Sequence, residues 1–182
     1  MAANSPRRPW VAYASSREVY GRHEVLPVAE DAPLNPMSPY GRSKLMTEMM
    51  LADVAAAHPL TYGALRYFNV AGADPKMRSG QSTPEATHLI KVTAQAALGQ
   101  RRHVEIFGTD FPTPDGTGVR DYIHVTDLVE AHALLLDYLR GGGNSATFNC
   151  GYGRGYSVRQ VIDMVRKVCG VDFEVREAPR RA

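Results

Sequence analysis

Residues 38–69 read "SPYGRSKLMTEMMLADVAAAHPLTYGALRYFN", and this stretch decides the fold. Apolar residues recur at three- and four-residue spacing over 45–54, which is typical of a helix. The pair Ser38-Pro39 suits the cap and first turn of that helix, and Pro59 ends it. An apolar run over 60–70 then predicts a buried strand. The stretch therefore predicts a helix followed directly by a strand.

The alternation of strand and helix continues on both sides of this stretch. An apolar run predicts a preceding strand over residues 10–15. Further strands are predicted over 103–108, 122–125, 146–151 and 172–178, and further helices over 85–99, 126–140 and 157–170, the last two capped by Thr126 or Asp127 and by Ser157. This order predicts an α/β protein with a doubly wound parallel sheet. The excursion over 71–118 interrupts the order and predicts part of a smaller α/β lobe, with a turn-rich loop over 109–121.

The composition indicates an ordinary globular protein and excludes several classes of function. Apolar residues make up 44% of the chain and charged residues 22%, and the net charge is only +2. The charge therefore gives no argument for nucleic acid or for a membrane surface. Cys150 and Cys169 form no metal-binding pattern, so no metal site is predicted. The sequence shows no signal-peptide or membrane-spanning run, and we expect a cytoplasmic protein.

Tyr40 and Lys44 are the first candidates for chemistry. They lie four residues apart and so share one face of the predicted helix. A phenol ordinarily loses its proton at about pH 10, and a neighbouring ammonium group favours the phenolate. Ser15-Ser16 ends the preceding strand, and the carboxyl ends of parallel strands meet at one sheet edge. We therefore expect a serine, a tyrosine and a lysine to lie together; the alternative is a pair on a solvated helix face.

Seven segments, in order, resemble the extended short-chain dehydrogenase/reductase family, the NAD-dependent epimerases and dehydratases, and within it the UDP-glucose 4-epimerase branch. They are "SS" with "VYG" in 15–21, "SPYGRSK" (38–44), "LRYFNVAGA" (65–73), "THLI" (87–90), "EIFGTDFPTPDGTGVRDYIHVTDL" (105–128), "FNCGYGRGYSV" (148–158) and "APRR" (178–181). The segment "DGTGVRDYIHV" is much more specific than the Tyr-Lys spacing. It is the segment that points to the epimerase branch.

The resemblance implies a role for each matching residue. Ser16 would bind the 4-hydroxyl of the sugar, Tyr40 would be the phenolate base, and Lys44 would support that base and hold the nicotinamide ribose of NAD. The implied catalytic residues are Ser16, Tyr40 and Lys44; the implied NAD-binding residues are Tyr40, Lys44, Tyr67 and Phe68; the implied substrate-binding residues are Ser16, Asn69, His88, Leu89, Phe107, Arg120 and Arg181. Without the resemblance, His88 would be a structural histidine and Arg120 with Asp121 a surface ion pair.

The resemblance also implies an activity and a domain organisation. The activity is the interconversion of UDP-glucose and UDP-galactose by transient oxidation at sugar carbon 4 with tightly bound NAD. The full-length family is expected to form a homodimer through the helix over 38–58 together with the helix that precedes it in the family, which is missing here. The implied domains are the second half of the dinucleotide-binding domain (1–72), a substrate-lobe excursion (73–118), a return to the Rossmann sheet (119–155) and the start of the C-terminal substrate lobe (156–182).

Three departures from the family pattern leave alternatives open, and one of them is that family members continue past residue 182 with a further segment and closing helices. The family opens with a Gly-rich turn that binds the pyrophosphate of NAD, whereas "GYGRG" (151–155) comes late and is predicted to be a loop. We therefore expect a chain truncated at both ends. Arg17-Glu18 replaces the small pair of the epimerases, and its Glu matches the 4,6-dehydratases, while Arg17 replaces their acid. The alternatives are a sugar-nucleotide 4,6-dehydratase or decarboxylase relative, and a non-catalytic remnant whose strands 10–15 and 60–67 expose an apolar edge.

Overall fold

The computed structural model describes residues 9–23 and 25–181, which form two units. The predicted domain boundaries also include residues 1–8, Glu24 and Ala182, which lie outside this description. In chain order the elements are β1 (Trp10–Ala14), α1 (Pro39–Ala57), β2 (Thr61–Tyr67), β3 (Asn69–Ala71), α2 (Leu89–Ala97), β4 (His103–Phe107), β5 (Val119–His124), α3 (Val125–Arg140), β6 (Ala146–Cys150), β7 (Gly155–Ser157), α4 (Val158–Cys169) and β8 (Glu174–Ala178), with a 3-10 helix at Arg17–Val19.

The first unit contains the described residues up to Val70 together with Ile123–Gly153, and its centre is a parallel sheet. The strand order is β1-β2-β6, so β2 lies in the middle and β1 at an edge. The predicted parallel α/β fold is confirmed. The prediction of an exposed edge on strand 60–67 is wrong, because β1 and β6 cover both edges of β2.

The two faces of this sheet carry different helices. Leu65 points to α3, where it joins Leu135 and Leu139 in a buried cluster. Arg66, the next residue of β2, points to the other face and contacts Glu48 of α1. Successive side chains of a strand alternate between faces, so α1 and α3 lie on opposite sides of the sheet.

Helix α1 begins and ends where the sequence predicts. The Ser38 hydroxyl caps it by accepting a hydrogen bond from the Gly41 amide at 3.0 Å, and Pro39 occupies its first turn. However, no apolar side chain of α1 is fully buried, and Leu45, Leu51 and Val54 are only half-buried. Its buried positions are Gly41 and Glu48, whereas Met46, Met49 and Met50 are each more than half exposed. The side of α1 that faces the sheet is therefore small and polar.

Helix α3 begins earlier than predicted. Its N-cap is His124, whose Nδ1 accepts a hydrogen bond from the Thr126 amide at 3.2 Å. The prediction of Thr126 or Asp127 as the cap is therefore wrong. The reason is that β5 continues to His124 and leads into α3 without a loop.

The second unit contains Ala71–Tyr122 together with the described residues from Arg154 onward. Strands β4 and β8 pair in parallel, and α2 and α4 supply the apolar residues that cover them. The buried cluster contains Val92, Ala96, Val104, Ile106, Ile162 and Phe173. No helix in residues 9–23 and 25–181 is long and apolar enough to span a bilayer.

Two predicted boundaries in this unit are wrong. Helix α2 begins at Leu89 rather than 85, because Glu85 has a φ of 54° and His88 is extended. Strand β5 begins at Val119 rather than 122, because its first residues pair with β7 in antiparallel fashion. That pairing also converts the end of the predicted "GYGRG" loop into a strand. The predicted Ser157 cap of α4 is confirmed, and a reciprocal bond from the Ser157 amide to the Gln160 side chain accompanies it.

Candidate functional site

The carboxyl end of β1 and the first turns of α1 bring Lys44 and Tyr40 together. The Lys44 ammonium donates a hydrogen bond to the Ala14 carbonyl oxygen at 2.9 Å. It also lies 5.5 Å from the centre of the Tyr40 ring and 5.3 Å from the centre of the Tyr13 ring. Tyr40 is half exposed. The ammonium group thus lies between the end of a strand and two phenol rings, one of which is open to solvent.

Ser16 lies in the turn that follows β1. Its side chain is buried, and its hydroxyl accepts a hydrogen bond from the Glu18 amide at 3.2 Å. The start of α1 packs directly on this turn, since a Cβ on Gly41 would lie 2.6 Å from the Glu18 carbonyl oxygen. Only glycine allows the two backbones to approach so closely. Gly41 therefore fixes the position of the first turn of α1 relative to the turn that carries Ser16.

Tyr67, Phe68 and Asn69 lie where β2 ends and β3 begins. Burial raises the pKa of the Tyr67 phenol above its ordinary value, and the nearby phenols of Tyr40 and Tyr13 raise it further. The Tyr67 phenol therefore stays protonated, and it lies near the Tyr40 phenol. The Phe68 amide donates a long hydrogen bond of 3.4 Å to the Cys150 carbonyl oxygen of β6, which ties the strand ends together.

Arg17 and Glu18, the pair that departs from the epimerase pattern, bind each other. The Arg17 guanidinium lies 2.6 Å from a Glu18 carboxylate oxygen, and about a third of each side chain is exposed. The Glu18 carboxylate is thus paired with its own neighbour in the turn.

A buried polar network behind these residues was missed in the sequence. Glu48 accepts hydrogen bonds from the Ser15 hydroxyl and from two nitrogens of Arg66, the shortest of the latter at 2.6 Å. Arg66 also donates to the Tyr20 hydroxyl at 2.8 Å, which in turn donates to the Asn149 side-chain oxygen at 2.7 Å. One signal could have indicated this network: a glutamate one turn beyond Lys44, followed by an arginine inside an apolar strand.

The other predicted site residues belong to the second unit, where Phe107 and Arg181 lie together. The Arg181 guanidinium lies 4.0 Å from the centre of the Phe107 ring, at the end of β4. Its neighbour Arg180 is bound differently, through a 2.7 Å ion pair with Asp110. That pair lowers the pKa of the Asp110 carboxyl.

His88 and Leu89 occupy the start of α2. The His88 side chain does not cap the helix, and its Nδ1 lies 2.6 Å from the Gln81 amide nitrogen. Leu89 packs against the buried cluster of the unit. The His88 imidazole therefore lies at the start of α2 without capping it, while Leu89 serves the apolar packing.

Arg120 lies on β5 opposite Tyr156 of β7, and its side chain is exposed. The loop before it is fixed by Asp115, which accepts hydrogen bonds from the Thr117 amide at 2.9 Å, the Thr117 hydroxyl at 2.7 Å and the Ser157 hydroxyl. These bonds lower the pKa of Asp115, with the Ser157 bond the largest cause. Sequence reasoning missed this support as well.

The sequence comparison identifies the family. The NAD dependent epimerase/dehydratase family matches residues 2–151. The chain belongs to this family. The resemblance that the motifs indicated is confirmed, and NAD is the cofactor of the family.

Similar proteins agree with this assignment. The chain is 58% identical over 171 residues to a UDP-glucose 4-epimerase, an isomerase, from Azospirillum brasilense, covering 94% of this chain and 49% of that protein. A crystal structure of UDP-glucose 4-epimerase from Brucella ovis in complex with NAD is similar, with a TM-score of 0.90 and 44% identity over 95% of this chain and 53% of that one. The enzyme from Bifidobacterium longum in complex with NAD+ and UDP gives a TM-score of 0.87 and 39% identity over 94% and 52%. The chain spans about half the length of these relatives.

The residues of the first unit fit one end of the family's cofactor. An ammonium has three N–H donors, and one Lys44 donor is directed at Ala14, so the same group can bind ribose hydroxyls. The segment "GYGRG" does not fit the pyrophosphate end, because it leads from β6 into β7 and not into a helix N-terminus. Lys44 could therefore hold a ribose of NAD, whereas "GYGRG" does not suit its pyrophosphate.

Proposed function

We propose that this chain carries the proton-transfer and diphosphate-binding residues of an epimerase that interconverts UDP-glucose and UDP-galactose. The observation that carries the proposal is the position of Lys44, which lies beside the Tyr40 ring and binds the strand end that leads to Ser16. The names of the similar proteins support the choice of substrate.

In this proposal Tyr40 removes the proton of the 4-hydroxyl and later returns it. The Lys44 ammonium stabilises the phenolate electrostatically, since opposite charges within about 4–6 Å favour the charged form. Ser16 binds the same hydroxyl and orients its proton toward Tyr40. Tyr67 stays protonated because of its raised pKa, so that it does not compete as a base.

NAD, when bound, supplies the acceptor for the hydride that leaves sugar carbon 4 and then returns to it. We propose that Tyr40 and Lys44 hold the nicotinamide ribose and that Tyr67 and Phe68 line the nicotinamide pocket. The half-buried aromatic side chains and the Lys44 donors suit those roles.

The second set of residues is proposed to hold the nucleotide diphosphate of the substrate. Arg120 and Arg181 carry guanidinium groups, which match phosphate oxygens in pairs. The start of α2 offers backbone N–H groups at Leu89 together with the His88 ring, and helix N-termini favour anions. Asn69 and Phe107 complete this proposed set.

The structure favours an epimerase over a 4,6-dehydratase at one point. A dehydratase needs the glutamate at position 18 for water elimination, but the Glu18 carboxylate is paired with Arg17 at 2.6 Å. In the proposed epimerase reaction, Tyr40 and Ser16 handle the proton, so the Glu18 carboxylate is not needed as an acid. The ion pair of Arg17 with Glu18 therefore does not conflict with catalysis by Tyr40 and Ser16.

We further propose that the protein forms a homodimer through α1 and that it is cytoplasmic. Met46, Met49 and Met50 form an exposed apolar stripe at helical spacing on α1, which supports an interface there. Sedimentation of the chain and of Met49→Lys tests this: the variant is expected to sediment as a monomer, and equal sedimentation of the two proteins contradicts the dimer.

The activity is tested by incubating the chain with NAD and UDP-galactose and measuring UDP-glucose. Relative to the unmodified chain, Tyr40→Phe is expected to lose at least about 100-fold in kcat, because general-base catalysis contributes that much. Tyr62→Phe is the matched control, since it removes a phenol from β2 of the same sheet.

Three other outcomes are informative. A 4-keto-6-deoxy product identifies a dehydratase. Turnover that Tyr40→Phe leaves unchanged contradicts the proposed base. A folded chain that neither binds UDP nor turns over the substrate leaves the non-catalytic remnant as the better description.

A further inference from the structure

We propose that Glu48 and Arg66 are a positioning pair that holds the carboxyl end of β1 against α1 and thereby places Lys44 and Ser16. The catalytic meaning of this placement rests on the proposed function. The contacts that hold α1 against the end of β1 lie within the first unit and do not depend on that function.

Two hydrogen bonds hold α1 against the carboxyl end of β1. The Lys44 ammonium donates a hydrogen bond to the Ala14 carbonyl oxygen, and the Glu48 carboxylate accepts one from the Ser15 hydroxyl. Lys44 and Glu48 are one helical turn apart, so they share a face of α1 and contact consecutive residues, Ala14 at the end of β1 and Ser15 just after it. Two bonds to successive residues fix both the position of α1 along its own axis and its rotation about that axis, relative to the end of β1. Ser16 is the next residue after Ser15.

Arg66 fixes Glu48 in turn. Its Nε lies 3.1 and 3.2 Å from the two Glu48 carboxylate oxygens, and its second nitrogen lies 2.6 Å from one of them. The remaining nitrogen donates to the Tyr20 hydroxyl and, at 3.1 Å, to the Glu30 carbonyl oxygen. Burial alone would lower the pKa of the guanidinium, but the bonds to Glu48 and Tyr20 raise it. Glu48 thus has a single orientation, with one oxygen directed at Ser15.

Burial makes this arrangement more than an ordinary ion pair. Only 6% of Glu48 and 5% of Arg66 are exposed. A buried ion pair often gives less stability than apolar residues of the same size, so stability alone is a weak reason for it. A fixed geometry at the strand end is the specific effect that these bonds have, because the bonds of Glu48 described above lead to Ser15, just after β1, and to Arg66 of β2.

The test measures the chemical reactivity of Lys44, which does not depend on catalysis. The chain is labelled with a trace of acetic anhydride, and acetylation at Lys44 is compared by mass spectrometry with that at Lys76, Lys91 and Lys167. In Ser15→Ala one attachment point is lost, and Lys44 is expected to label about three- to tenfold faster, the equivalent of one hydrogen bond. The three reference lysines are expected to keep their rates.

Thr47→Ala is the matched control. Its hydroxyl donates to the Ser43 carbonyl oxygen within α1 and is next to Glu48 in sequence. The same Lys44 labelling in Ser15→Ala and in Thr47→Ala overturns the proposal. Faster labelling of all four lysines in Ser15→Ala overturns it too, because that result indicates general unfolding.

Glu48→Gln supplies a second variant, which keeps the shape of the side chain and removes its charge. It is expected to increase Lys44 labelling at least as much as Ser15→Ala. In both variants, UDP-galactose turnover is expected to show kcat lower by about ten- to hundredfold, since small displacements of catalytic groups have effects of that size, with KM unchanged. A raised KM with unchanged kcat overturns the placement of catalytic groups. Absence of turnover in the unmodified chain overturns the proposed function, while the labelling still decides the attachment.

Discussion

Helices α1 and α4 are held in place by opposite means. Helix α4 is capped at Ser157, ends at Gly170 in the left-handed region and buries Val161 and Ile162 in the apolar cluster of its unit. Helix α1 buries a glycine and a glutamate and exposes methionines. Hydrophobic burial depends little on direction, whereas hydrogen bonds depend strongly on it. The helix that carries Tyr40 and Lys44 is therefore the one whose placement is fixed by directed bonds.

The largest effect is expected for Glu48→Ala, which breaks the polar contact of α1. Arg66 is then left buried without its partner, and the free energy of unfolding is expected to fall by about 3–5 kcal/mol. Urea unfolding followed by circular dichroism measures the loss. Glu18→Ala removes an exposed partner of the same charge and is expected to cost less than about 1 kcal/mol. Similar losses of unfolding free energy in Glu48→Ala and Glu18→Ala would contradict the expectation that the buried ion pair contributes more to stability than the exposed one.

A smaller effect is expected for Gly41→Ala, which separates α1 from the turn after β1. The added Cβ would lie 2.6 Å from the Glu18 carbonyl oxygen, so the helix start must move. Overpacking of this kind costs about 1–3 kcal/mol. Thermal unfolding measures it, with Gly80→Ala as the control, since a Cβ there meets its nearest neighbour at 3.5 Å. An unchanged melting temperature for Gly41→Ala would show that the contact is not tight.

Ser157→Ala is expected to weaken α4 without changing its apolar packing. The variant loses the N-cap bond to Gln160 and the bond to Asp115. Removal of a cap serine costs about 0.5–2 kcal/mol. The urea midpoint of the chain reports this loss, and Ser43→Ala, on the exposed side of α1, is the control. A loss as large as that of Glu48→Ala would mean that α4 also depends on directed bonds.

The smallest effect concerns pH and Asp115. Its pKa is lowered chiefly by the Ser157 hydroxyl, against a burial effect that raises it, and further by Thr117 and the Arg159 charge. A carboxyl group with a lowered pKa in the folded state stabilises the protein above its ordinary pKa, and this contribution is lost as the pH falls through the lowered value. Thermal unfolding of the chain and of Asp115→Asn should therefore differ at neutral pH and converge in acid. A difference that stays constant down to strongly acidic pH would contradict the ionised Asp115.

The sequence predicts the elements of the first unit well because their signals are local. Ser38, Pro39 and Pro59 mark the ends of α1, and the apolar run over 60–70 marks β2. The errors occur where a distant partner decides the structure. Val119 joins a strand only because β7 lies opposite, and His124 caps α3 only because β5 leads straight into it.

The same reason explains what was missed around the candidate site. The spacing of Tyr40 and Lys44 on one helix is a local pattern, and their proximity followed from it. The contact of Glu48 with Arg66 and Ser15 joins three elements, and single-sequence patterns do not report such long-range pairs. The methionines of α1 were apolar by composition but exposed in the fold, because the sheet side of the helix is used for polar contacts.

The bonds that run from Ser15 through Glu48, Arg66 and Tyr20 to Asn149 have a consequence for local motion. They join β1, α1, β2, the 3-10 turn and β6. Separating any two of these elements breaks a side-chain bond of this network, so the backbone amides at their ends are expected to exchange with solvent deuterium at similar rates. The carboxyl edge of the first unit's sheet is then expected to open and close as one cooperative unit.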